Sequence, residues 1–263
     1  MRRLAFLLPL ALCLCSRNGS PEPMKVSPSE PPGSRPAPAP APAPEPPLQV
    51  REPSLPEPAQ AAPIRIVDRP ITWNAERRRL SLEYLTLRHG LKADEPVIAP
   101  VMVVLHATEG ATLASAFHTF DPVRMPAGER PTLAKASALN VSAHFLVDRD
   151  GTLVRVLPET TFARHTVGLN WCAIGVENVG GTPKTPLNEA QVRASADLVR
   201  HLAERFPIRH VIGHHEYLAY RKTPLWKETS TTYYTIKSDP GAPFMQQVRA
   251  RLTDLKLEPV PSP

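Results

Sequence analysis

The chain has 263 residues, of which 33 are proline, with 42% hydrophobic content and a formal net charge of +6. Prolines crowd residues 21–63, where alternating Ala-Pro leaves no large apolar side chains and few amide donors, so a packed core is excluded there. Roughly 200 residues remain, enough for one domain with a sizeable core, and the modest positive charge suits an anionic wall or membrane surface without selecting one; no nucleic-acid partner is expected.

In chain order, Arg2-Arg3 precede an apolar stretch over residues 4–14 that is too short to span a bilayer, the pattern of an export signal over residues 1–16. Cleavage near Ser16 and lipid attachment at Cys13 or Cys15 both stay open, the second weakened by the leucine before each cysteine. The expected location is periplasmic, as an outer-membrane lipoprotein, or secreted. Residues 17–63 are expected to form a Pro/Ala-rich disordered linker, extended at ~3 Å per residue. A disordered tail is expected over residues 258–263.

Residues 64–257 are expected to fold as a single catalytic domain. Asn74 can cap a helix over residues 75–87, with Leu80, Tyr84 and Leu87 on one face and Gly90 as its stop. Residues 101–105 are a continuous apolar run, as in a strand buried on both faces, closed by His106. Two strands, 140–148 and 152–157, flank the turn Arg149-Asp150-Gly151, and residues 174–179 form another. Thr185-Pro186 offers a cap and a first-turn proline for a helix reaching Arg205, with Leu187, Ala194, Leu198 and Leu202 as its apolar stripe and Pro207 beyond its end. Val211-Ile212-Gly213 is a short apolar segment closed by His214. Cys172 allows no intradomain disulfide and reads as a small buried hydrophobe beside Trp171.

Strands interleaved with helices argue for an α/β fold, a central mixed β-sheet flanked by helices, its hairpin antiparallel and its helix-linked strands parallel. Functional groups in such sheets gather beyond strand ends, so His106 and His214 could meet although remote in sequence. With Asp239, from Lys237-Ser238-Asp239-Pro240-Gly241, they make two imidazoles and a carboxylate, a set that suits a zinc ion with an open position and hence a metal-dependent hydrolase. Taken singly, each has a structural rival: a hydrogen-bonded histidine, or an aspartate that starts a turn.

Five segments together carry a resemblance: Leu105-His106-Ala107-Thr108, Asn140-Val141-Ser142-Ala143-His144-Phe145-Leu146-Val147-Asp148-Arg149-Asp150-Gly151, Ile174-Gly175-Val176-Glu177-Asn178, Ile212-Gly213-His214, and Lys237-Ser238-Asp239-Pro240-Gly241. In this order they resemble the zinc-dependent N-acetylmuramoyl-L-alanine amidases that share the peptidoglycan-recognition-protein fold, over residues 101–244. The resemblance implies Zn2+ held by His106, His214 and Asp239. It also implies hydrolysis of the amide between the lactyl group of N-acetylmuramic acid and L-alanine, with peptidoglycan or muropeptides as partner. Glu177 matches the family's catalytic glutamate, which would take a proton from water and deliver one to the leaving amine. Lys237 matches a basic residue whose ammonium could stabilise the oxyanion. A lipid anchor plus the linker would let such an enzyme reach the wall from a membrane.

Several assignments keep alternatives. Glu109, three residues after His106, competes with Glu177 as general base, and Lys237 could be an ordinary surface lysine. His144 could contact substrate or be a hydrogen-bonded structural residue, while His165, in Ala163-Arg164-His165-Thr166-Val167-Gly168, resembles a segment near the substrate groove and is expected to bind substrate. His210 and His215 are expected to be non-ligands. Residues 216–236 form a longer connection than in smaller family members, and Tyr217, Tyr220, Trp226, Tyr233 and Tyr234 could stack on sugars or simply pack a long loop. The alternative function is a non-catalytic peptidoglycan-binding protein of the same fold. Intact wall, released muropeptide and anhydro sugar all stay open as substrates.

Overall fold

The computed structural model describes residues 64–128 and 130–262, so the expected export signal (1–16) and linker (17–63) lie outside the described residues. Within these, one sheet contains β1 Ile66–Asp68, β2 Met102–Ala107, β3 Phe145–Val147, β4 Leu153–Arg155, β5 Ala173–Asn178 and β6 His210–Gly213, in the order β1-β4-β3-β5-β2-β6. The β3–β4 hairpin is antiparallel and the other pairings are parallel. Helices α1 Ala75–His89, α2 Leu113–Phe120, α3 Pro131–Ala136, α4 Glu189–Arg205 and α5 Ala242–Ala250 surround it, with a 3-10 helix, His214–Lys222, following β6 directly. This is the α/β class, with a mixed central sheet, that the alternation of elements argued for. No helix among the described residues is long and apolar enough to cross a membrane.

Alternation along the strands divides the core into two layers. Val103 and Leu105 of β2 and Ile174 and Val176 of β5 pack with Val199 and Leu202 of α4 and Met245 and Val248 of α5. Met102 and Val104, on the opposite face, pack with Ile212, Tyr217, Tyr220 and Tyr233. His106 and Glu177 continue this second face to the carboxyl ends of their strands.

Helix α1 begins at Asn74, whose side chain accepts from the Arg77 N–H at 2.9 Å, and ends at Gly90, where φ of 65° is the left-handed conformation a glycine adopts freely. Its buried stripe runs through Arg77, Leu80, Ser81, Tyr84 and Leu85 to His89, and Leu87 is 59% exposed, off the face expected for it. Arg77 is buried because its guanidinium donates to the carbonyls of Phe120, Asp121 and Pro122 where α2 ends.

The start of α4 differs from the expectation of Thr185-Pro186. Thr185 instead closes a turn with Thr182, and Asn188 and Gln191 make a reciprocal capping box, two orphan donors satisfied at once. The hairpin strands are also shorter than expected. Residues 140–143 leave the sheet because their polar groups bond elsewhere: Asn140 Nδ2 donates to the Thr119 and Pro122 carbonyls, and the Ser142 N–H to that of Arg164.

The segment from Glu258, expected as a disordered tail, is seated instead. The Glu258 N–H donates to the Arg209 carbonyl at 2.7 Å, and Val260 packs beside the tyrosine layer. Nearby, Arg249 donates to the Val211 carbonyl at 3.0 Å and Glu216 accepts from the Gly213 N–H at 2.7 Å.

Candidate metal centre

Register brings the site together. In the parallel β2–β5 pair His106 stands opposite Glu177, and in the β2–β6 pair Leu105 stands opposite Gly213, so His214 emerges one residue later beside His106. Nδ1 of His106 and Nδ1 of His214 lie 2.9 Å apart, and Oδ2 of Asp239 lies 3.6 Å from the first and 3.3 Å from the second. Donors on a tetrahedron with bonds of about 2.0 Å stand about 3.3 Å apart, so the three atoms match three corners of a zinc site. Two facing imidazole nitrogens and a carboxylate are also the donor chemistry zinc prefers.

Asp239 is held by its backbone. The His215 N–H donates to the Asp239 carbonyl at 2.9 Å, and His215 Nδ1 donates to the same oxygen at 3.1 Å. The His215 ring fits because Gly213 has no side chain; a Cβ there would lie 2.6 Å from its Cε1. His215 is thus no ligand, as expected, but it braces one, a role with no sequence signal because its partner lies 24 residues away.

Burial pushes His214 down to about 3, and the neighbouring His106 adds to that. At Asp239 burial acts upward, but the adjoining His106 and His214 rings outweigh it and hold the carboxyl well below the usual range. Glu177 is shifted upward by burial, against a smaller opposing pull from His106. Its Oε1 is 3.9 Å from His106 Nδ1. The Asn178 amide donates to the His106 carbonyl at 3.2 Å, tying the two strand ends together.

These groups open into a cleft of about 440 Å³ whose walls include Glu109, Arg130, Glu177, Ile236 and Lys237. Glu109 is exposed on the rim, whereas Glu177 is buried beside the donors. Arg130, in the left-handed region with φ of 46°, is a wall residue that the sequence reading did not single out.

The other two histidines are engaged by the protein itself. His144 is fully buried, its Nε2 donating to the Thr161 carbonyl at 2.8 Å and its Nδ1 accepting from the Gly175 N–H at 2.9 Å, so it offers substrate no polar atom. His165 does line the cleft, but Nε2 donates to the Ala173 carbonyl at 3.1 Å and Nδ1 faces His106 Nε2 at 3.1 Å. Burial first, then the neighbouring His106 and His144, drives its pKa well down, leaving the ring neutral. Of the aromatics in the long connection, Tyr217, Tyr220 and Tyr233 are buried and Trp226 stacks on Tyr217, so packing accounts for them; Tyr234 is exposed. Cys172 is buried, its thiol pushed up to about 12 by burial, as an inert small hydrophobe would be.

Comparison with known proteins adds the family. Solved structures similar to this chain include N-acetylmuramoyl-L-alanine amidase LysC from Clostridium intestinale URNW, at 19% identity over 72% of this chain and 98% of that one, with a TM-score of 0.44. AmpD matches at 23% identity over 59% of this chain and 89% of its own, with a TM-score of 0.42. Human PGRP-IBETAC, in complex with glycosamyl muramyl pentapeptide, matches at 17% identity over 51% and 90%, with a TM-score of 0.37. No curated protein matches the chain. The profile of the Amidase_2 family, N-acetylmuramoyl-L-alanine amidase, matches residues 96–242, more than half of the 263 residues. This chain therefore belongs to the Amidase_2 family and is an N-acetylmuramoyl-L-alanine amidase acting on peptidoglycan.

Proposed function

We propose that this amidase is zinc-dependent, with His106, His214 and Asp239 as the ligands, Glu177 as general acid and base, and Lys237 as the oxyanion partner. The observation that carries the reading is the convergence of three donor atoms, all within 4.8 Å of one another, beside a buried glutamate on the neighbouring strand. When bound, zinc supplies Lewis acidity toward an amide carbonyl and toward water.

The chain's own residues account for the remaining work. Burial makes the Glu177 carboxylate a stronger base than an exposed one, suited to taking a proton from water and returning it to the leaving L-alanine amine. Lys237, a cleft residue on the same segment as Asp239, brings a positive charge toward the oxygen where negative charge develops. The scissile bond is the amide joining the lactyl group of N-acetylmuramic acid to the stem peptide.

The test pairs elemental analysis of the purified protein with digestion of sacculi and mass spectrometry of the products. One zinc per chain and stem peptides with a free L-alanine amine support the reading. Pelleting with the wall and releasing no peptide, in zinc-replete protein, would reject it in favour of a non-catalytic binder.

We further propose that the chain is exported through residues 1–16 and carries its catalytic domain on a linker over 17–63, with Cys13 or Cys15 as a site for lipid attachment. The supporting feature is the dibasic, apolar leader. Mass spectrometry of the mature amino terminus tests it: an unmodified start near Ser16 would exclude the lipid, and an intact Met1 would exclude export.

A further inference from the structure

We propose that His165 is a positioning residue that fixes which nitrogen of His106 faces the metal site, and that it does not bind substrate. The inference rests on the zinc reading above.

His106 needs such a device. A neutral imidazole carries one proton, and on Nδ1 it would be attracted to His214 Nδ1 at 2.9 Å and to Asp239 Oδ2 at 3.6 Å. That tautomer hydrogen-bonds well within the cluster and has no lone pair left for a metal.

The structure contains a chain of contacts that selects the other tautomer. A carbonyl oxygen can only accept, so the 3.1 Å contact between His165 Nε2 and the Ala173 carbonyl puts the His165 proton on Nε2. Nδ1 of that ring is then an acceptor, and it lies 3.1 Å from His106 Nε2. His106 must donate from Nε2, which leaves Nδ1 bare toward His214 and Asp239. The Thr166 hydroxyl, 2.9 Å from His165 Nδ1 and 3.4 Å from His106 Nε2, can donate to the first and accept from the second, favouring the same arrangement.

The ring is seated by local chain features. Asn170 Oδ1 accepts from the N–H groups of His165 at 2.8 Å and Thr166 at 2.6 Å, fixing the backbone from which the ring projects. The ring lies against the bare backbone of Gly175, between Ala173 and Glu177 on β5; a Cβ at Gly175 would stand 2.7 Å from its Cγ. Both nitrogens being occupied, substrate would have to break this chain to bind either one.

The test measures zinc affinity of the full chain by competition with a chromophoric chelator, for the parent and for His165→Leu, His165→Asn and Gly175→Ala. His165→Leu keeps bulk but no acceptor, and Gly175→Ala pushes the ring away while leaving its nitrogens intact. Both should weaken zinc about 10- to 100-fold, the usual cost of losing the partner that orients a ligand, and both should alter the visible spectrum of the cobalt-substituted protein. His165→Asn, whose Oδ1 can stand in for Nδ1, should recover part of the loss, and KM for muropeptide at saturating zinc should stay near the parent value. Unchanged zinc affinity in His165→Leu and Gly175→Ala, with KM raised, would overturn the proposal and make His165 a substrate contact. A parent chain that takes up no zinc would overturn the zinc reading itself, a different result read before any variant is made.

Discussion

Glu177 is a carboxylate on a strand, at a position otherwise suited to an apolar side chain, and burial opposes its charge. A folded pKa raised above the unfolded value means that ionised Glu177 destabilises the native state at neutral pH. Glu177→Gln keeps the shape and removes the charge. It should bind zinc like the parent yet lose ~10²- to 10⁴-fold in kcat, the range for removing a general acid or base. Compared zinc-free, it should also unfold at a higher temperature than the parent, because it buries no charge. Differential scanning calorimetry beside a turnover assay checks both halves. Normal turnover would transfer the base to Glu109, and a lower melting temperature would mean that Glu177 is structurally required.

At the scale of elements, α4 is fastened by its start. Asn188 caps it, and its amide nitrogen also donates to the Arg149 carbonyl at 2.8 Å, joining the helix to the β3–β4 turn. Asn188→Ala should cost about 1 kcal/mol in urea unfolding. Turnover should be unaffected, since α4 covers the sheet face opposite the cleft. Here the sequence was partly misleading: Thr185-Pro186 has the chemistry of a helix start, but Asn188 and Gln191 satisfy two donors instead of one. The long apolar run of β2 was legible because burial on both faces leaves no polar residue in it. β1, three residues long, was not legible, since it exists through its pairing with β4 and the ion pair of Asp68 with Arg155. His106, His214 and Asp239 were readable as a constellation, each lying in a short distinctive segment. The work of His215 and the true surroundings of His144 were not, because both depend on a carbonyl brought in from another part of the chain.

For the whole molecule, two buried histidines away from the donors set a pH dependence. His89 and His144 are both pushed to about 4 by burial. His89 donates from Nδ1 to the Lys227 carbonyl at 3.2 Å, and its Nε2 has no partner among the described residues, so protonation would create an unpaired buried donor there. In the unfolded chain both rings titrate near ~6.5. Their stabilising contribution is therefore fully present above that value, is lost as pH falls from about 6.5 toward about 4, and changes little below. Each depression corresponds to something on the order of 3 kcal/mol. Urea midpoints of chelator-treated protein should drop steeply across that window, and His89→Gln should flatten the curve; an equally steep curve in the variant would assign the effect to other groups.

Among the described residues β6 is the last strand of the sheet, so its outer side has no strand there to pair with. The Arg209 carbonyl, the Val211 carbonyl and the Gly213 N–H are instead taken by the Glu258 amide, Arg249 and Glu216. Glu258, with Arg249 and Glu216, thereby covers polar groups along this border, where an open sheet edge invites edge-to-edge association. Ending the chain at Leu257 should leave the cleft intact but promote concentration-dependent oligomers, visible by light scattering, and a truncated chain that stayed monomeric would relieve the tail of that duty. A purification tag is safer at the other end of the domain, since residues 258–260 lie beside the strand that leads into His214.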